Sequence, residues 1–145
     1  MRRRLIAPLL AGLMLILGNP ATADEPEHML SIVTSGSNDT QAMALILTRQ
    51  YMGHGGSVQV LLCDKAGELA LKDSDIGSTR VEPAGASPRE MLGAMLEAGV
   101  QVEVCAIFLP NRAETEDDLR EGVAVARADV IAGVMAKPGT KLFTN

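Results

Sequence analysis

The chain has 145 residues, the length of one domain, with 47% hydrophobic residues and a formal net charge of −5. Two cysteines are too few for a disulfide scaffold, and beyond residue 23 an acidic domain without a basic run or stacking aromatics is a poor nucleic-acid binder.

The first residues read as a targeting segment. Arg2, Arg3 and Arg4 precede the apolar run Leu5 to Leu17, and Ala21-Thr22-Ala23 is a small-x-small cleavage site. That pattern is a secretory signal peptide, with residues 1–23 removed and residues 24–145 forming the domain. The apolar run is short for a bilayer, which needs about 20 apolar residues, so no membrane attachment is expected after cleavage. Periplasmic export is the corresponding expectation.

His28 to Thr34 is a buried strand, followed by the turn and cap cluster Ser35 to Thr40. Ala42 to Met52 reads as a helix, stopped by Gly53-His54-Gly55-Gly56. Ser57 to Cys63 is the second strand, Glu68 to Leu71 one helical turn, and residues 72–86 a long polar connection. Ser87-Pro88-Arg89-Glu90 combines an N-cap, a first-turn proline and a capping box; Met91, Leu92, Met95 and Leu96 share one face of the helix it opens. Val100, Val102 and Val104 alternate with Gln101 and Glu103 in a third strand that ends at Cys105. A short helix from Thr115 to Glu121, a strand over residues 122–126, a helix over 128–136 and a strand over 141–144 complete the chain. In the last helix Val130, Ile131, Val134 and Met135 are expected to face inward. This alternation predicts an α/β fold with a five-stranded, mostly parallel sheet and helices on both faces.

The carboxyl ends of parallel strands share one edge, and ligands bind beyond it. That edge collects the Thr34 to Asp39 loop, Cys63, and the run from Cys105 to Arg112. A thiolate is a nucleophile favoured by nearby cations, so Cys105, with Arg112 as partner, is the candidate for sulfur chemistry. The other reading of Cys105 is a packed small hydrophobe. Cys63, after Leu61 and Leu62, reads as a core thiol. With the first strand placed between the strands carrying the two cysteines, two spacings of about 4.8 Å separate them. That exceeds the roughly 7 Å a disulfide can bridge, so none is expected. No metal-ligand spacing involves His28 or His54, and no cofactor-binding motif is present.

Several pieces, in this order, resemble the DsrE/DsrF-like family of small sulfur-relay proteins. They are the first strand with Thr34 and the Asn38-Asp39 loop, Val58 to Leu71, Gly99-Val-x-Val-x-Val-Cys105, Asp118-Leu-x-x-Gly122-Val, and Thr140-Lys-Leu-Phe-Thr. The resemblance implies a flavodoxin-like three-layer fold that assembles into trimers or hexamers. It also implies a strand-end cysteine that carries sulfur as a persulfide, a position that maps onto Cys105. On this reading the chain is an exported carrier more than a turnover enzyme. Its partners are sulfur donors and acceptors, either proteins or small thiols, and Asn38, Asp39, Cys63 and Arg112 shape the site. The alternative is a non-catalytic small-ligand-binding or assembly module of the same fold. A thiol oxidoreductase would need Cys63 within reach of Cys105.

Overall fold

A computed structural model describes residues 27–145; the segment read above as a signal peptide lies outside the described residues. The five strands are β1 (His28–Val33), β2 (Ser57–Leu62), β3 (Gln101–Val104), β4 (Val123–Val125) and β5 (Thr140–Thr144). They form one sheet in the order β4-β3-β2-β1-β5, and every neighbouring pair is parallel. The predicted α/β architecture is therefore present.

Three α-helices cover the sheet: α1 (Asn38–Gly53), α2 (Pro88–Glu97) and α3 (Ala128–Met135). Helix α1 starts earlier than its apolar run because Asn38, Asp39 and Thr40 form its first turn. Helix α2 carries the expected capping box: Ser87 Oγ accepts from the Glu90 N–H, and the Glu90 carboxylate accepts from the Ser87 N–H. That backbone bond is the main cause of Glu90's lowered pKa. The two weaker helical readings resolve as 3₁₀ turns over Asp64–Ala70 and Glu116–Asp118, and a third such turn spans Leu109–Asn111.

The alternation of strand side chains divides the core in two. On one face Val33, Val60, Leu62, Val102 and Val104 pack with Ala44, Leu45, Leu92 and Met95 of α1 and α2. On the other face Leu30 and Leu61 pack with Ala126 and Ile131. Chain path explains the split. The crossovers from β1 to β2, β3 and β4 all advance in one direction, so right-handedness places their connections on one face. The connection from β4 returns across the sheet to β5, and the same handedness puts α3 on the opposite face.

Two inward expectations are corrected in α3. Ile131 is buried, but Val130 and Met135 are 45% and 46% exposed. A helix of eight residues covers too little of a five-stranded sheet to enclose four large side chains. Polar groups occupy part of the same sheet face: Glu103 is buried, and its carboxylate accepts hydrogen bonds from the Gln59 and Gln101 side-chain amides.

A buried hydroxyl pair ties α1 to β1. Thr48 Oγ1 lies 2.9 Å from Ser31 Oγ and 2.8 Å from the Ala44 carbonyl oxygen. Both residues are fully buried. Thr48→Val would leave the Ser31 hydroxyl without this partner and is expected to lower unfolding free energy by about 1–3 kcal/mol. The double variant with Ser31→Ala is expected to recover most of that loss, measured by urea denaturation.

Candidate functional site

The strand ends bring the two cysteines together. In the β2–β3 register Leu62 is opposite Val104, and Cys63 and Cys105 follow directly on the two strands. Parallel neighbours lie about 4.8 Å apart, so these next residues fall within bridging distance. Cys63 and Cys105 form a disulfide with a Cα–Cα distance of 5.1 Å. The expectation of no disulfide is thus overturned. It placed β1 between the two cysteine strands, whereas β1 lies beyond β2 and leaves β2 and β3 adjacent. Backbone bonds hold both residues in line: the Cys105 N–H donates to the Leu62 carbonyl, and the Cys63 N–H to the Val33 carbonyl, both at 2.9 Å.

The pair is half-buried, and its two members differ in surroundings. After β3 the chain turns toward the α1–α2 face, and after β4 it turns toward the α3 face. The strand order's directional switch therefore falls between β3 and β4, the place where open α/β sheets form a crevice. A cavity of about 300 Å³ lies there, with Cys105, Ile107, Ala126, Ile131 and Met135 in its wall. Leu61 forms its floor from the sheet. Cys105 lines this cavity and Cys63 does not. Ile107, at its edge, is 75% exposed.

The loops that follow the two cysteines are fastened to each other. Phe108 is buried against Gly67, whose missing side chain leaves room for the ring. Arg112 lies over the other part of this assembly, its guanidinium carbon 4.3 Å from the Phe108 ring centroid and its Nη1 3.2 Å from Glu68 Oε1. Lys65 Nζ is also 3.2 Å from Glu68 Oε1. Arg112 thus holds the 64–70 turn to the 105–112 loop, and its charge is matched by Glu68. Asp64, directly after Cys63, has φ +48°, a left-handed conformation that aspartate tolerates better than most residues.

Asn38 and Asp39 open α1. The Asn38 amide donates to the Thr79 carbonyl at 2.9 Å, so it anchors the long 72–86 connection, while Asp39 is exposed. The β1–α1 loop reaches the turn after Cys63 through the Ala66 N–H, which donates to the Thr34 carbonyl at 3.3 Å. The site is therefore a row: the Thr34–Asp39 loop, the Cys63 turn, the Cys105 loop, and the cavity under α3. Sequence reasoning missed the cavity wall on α3 and the Gly67–Phe108 contact. The small residues Ala126, Ala128 and Ala132, which leave space beside the β3 end, were the available signal. Among the described residues no group of three or more His, Cys, Asp or Glu side chains could hold a metal ion, and no helix is long and apolar enough to cross a membrane.

No family model and no curated relative matches the chain. Solved structures do. YchN of E. coli superposes with a TM-score of 0.59 at 18% identity, covering 83% of this chain and all of YchN. MTH1491 of Methanobacterium thermoautotrophicum, a protein of unknown function, gives 0.58 at 17% identity with the same coverage. Both share the parallel α/β architecture of this chain over most of its length. At these identities the likeness speaks to architecture alone.

Three outcomes are expected. Denatured protein should show no reactive thiol until a reductant is added. Reduction should then lower unfolding free energy by about 4 kcal/mol, the chain-entropy value for cysteines 42 positions apart. Separately, Gly67→Ala should displace the Phe108 ring and destabilise the fold by about 1–3 kcal/mol, read from the urea midpoint.

Proposed function

We propose that this chain is an exported sulfur-handling protein in which Cys105, once released from Cys63, accepts sulfur as a persulfide. One observation carries the reading: Cys105 lines an apolar cavity at the directional switch of the sheet while its sulfur is paired with a neighbouring thiol. A reductant opens the pair and yields a Cys105 thiolate beside a space large enough for a small thiol compound. The thiolate attacks the outer sulfur of a donor persulfide, the donor thiol leaves, and the sulfur atom stays on Cys105.

The surroundings suit that role. The cavity wall is built mainly of hydrocarbon, which limits water at the reacting sulfur. Donor and acceptor are persulfide-bearing proteins or small thiols, and the resemblance to DsrE/DsrF-like proteins has the chain assemble as trimers or hexamers. No cofactor is needed for this chemistry.

A second reading is favoured by the same disulfide: exchange of Cys63–Cys105 with substrate thiols, without sulfur transfer. The two differ in what the protein retains. Reduced Cys63→Ser protein treated with glutathione persulfide is expected to gain the mass of one sulfur atom. Cys105→Ser should gain none. Equal masses for the two variants, with and without donor, would remove the carrier reading and leave disulfide exchange.

A further inference from the structure

The structure assigns the two cysteines different tasks, and we infer that Cys63 is the resolving thiol that discharges the sulfur held on Cys105 as hydrogen sulfide. This rests on the persulfide reading of Cys105 above and specifies what happens to the sulfur next. The asymmetry between the two positions carries it. Cys105 forms part of the cavity wall, where a donor can reach it, whereas Cys63 sits on β2's side of the pair and away from that wall. The first sulfur to meet an incoming compound is therefore that of Cys105. Both cysteines are half-buried, and only Cys105 faces the cavity.

Placement also makes the second step intramolecular. The two Cα atoms are 5.1 Å apart, and the disulfide shows that the sulfur atoms reach bonding contact within this backbone. Opening the bond leaves the backbone restraints in place: Cys105 N–H to Leu62, Cys63 N–H to Val33, and the Arg112–Glu68 and Phe108–Gly67 contacts between the following loops. The reduced thiols thus remain neighbours, a geometry that favours attack within the chain over capture by an external acceptor.

The sulfur balance closes. A donor persulfide transfers its outer sulfur to the Cys105 thiolate and leaves as a thiol. The Cys63 thiolate then attacks the Cys105 sulfur, the S–S bond to the added sulfur breaks, and that sulfur departs with the bonding electron pair as hydrosulfide. The Cys63–Cys105 disulfide forms in the same step. The sulfane sulfur is reduced and the two cysteines are oxidised. An external dithiol restores the pair by exchange, becoming a disulfide itself. Over the cycle, a persulfide and a dithiol become a thiol, a disulfide and hydrogen sulfide.

The test uses the reduced full protein, freed of reductant and treated with one equivalent of glutathione persulfide under anaerobic conditions. Released sulfide and intact mass are followed together. Wild type is expected to release about one sulfide per chain and to return to the disulfide mass without retaining sulfur. Cys63→Ser should hold the extra sulfur and release little sulfide; Cys63→Ala, checked by circular dichroism for a native-like fold, should behave the same way. Wild type that retains sulfur as stably as Cys63→Ser would overturn the resolving role and leave the carrier reading intact. Sulfur retained on Cys63 in Cys105→Ser would overturn the assignment of the two tasks. No sulfur on either Cys63 variant would overturn the carrier reading, and this inference with it.

Discussion

Strands β2 and β3 are hydrogen-bonded neighbours in a parallel register that sets Leu62 opposite Val104. Each strand ends one residue before a cysteine, so the spacing of the sheet itself determines the distance between Cys63 and Cys105. Shift the register by one residue and the side chains point to opposite faces. Insert another strand and they are out of reach. The loops after the cysteines inherit the same constraint. They run side by side closely enough for Phe108 to fill the space above Gly67 and for Arg112 to meet Glu68.

The strand order has a second consequence, which falls on the neighbouring edge of β3. Three successive crossovers travel one way across the sheet, and the last returns the other way to place β5 beside β1. The chain leaves β3 and β4 toward opposite faces, and a gap opens between their carboxyl ends. Helix α3 roofs this gap with alanines and Ile131, too short and too small-chained to fill it. Cys105 belongs to both features at once. It is half of a pair defined by β2 and β3, and part of a wall defined by β3 and β4.

Most of the fold was legible because its signals are local. The capping box at Ser87, the valine alternation of β3 and the glycine stop after α1 each report on a few adjacent residues, and each element appears where those residues stand. Cys105 at a strand end was legible for the same reason. The disulfide was not, because neighbour order in a parallel sheet is set by long-range pairing that no local pattern encodes. Val130 and Met135 were misplaced for a related cause: helical periodicity marks one apolar side of α3 but carries no information on how much sheet lies beneath it. Arg112 was legible as a cation in the loop after Cys105, while its partners Glu68 and Phe108 depend on which loops the sheet brings together.

A disulfide across two neighbouring strands has an unusual division of effects. In the folded chain the ladder already holds the two residues together, so the covalent bond adds little restraint that hydrogen bonds do not supply. Its entropic effect falls on the unfolded chain, where it closes a long loop. Opening the bond should therefore weaken the fold without rearranging it. A bond whose loss leaves geometry nearly unchanged is suited to repeated opening and closing. A staple between distant, otherwise unconnected loops would release them when reduced, and the thiols would have to find each other again. Here the sheet keeps them adjacent, and one of the two, Cys105, also lines the cavity under α3.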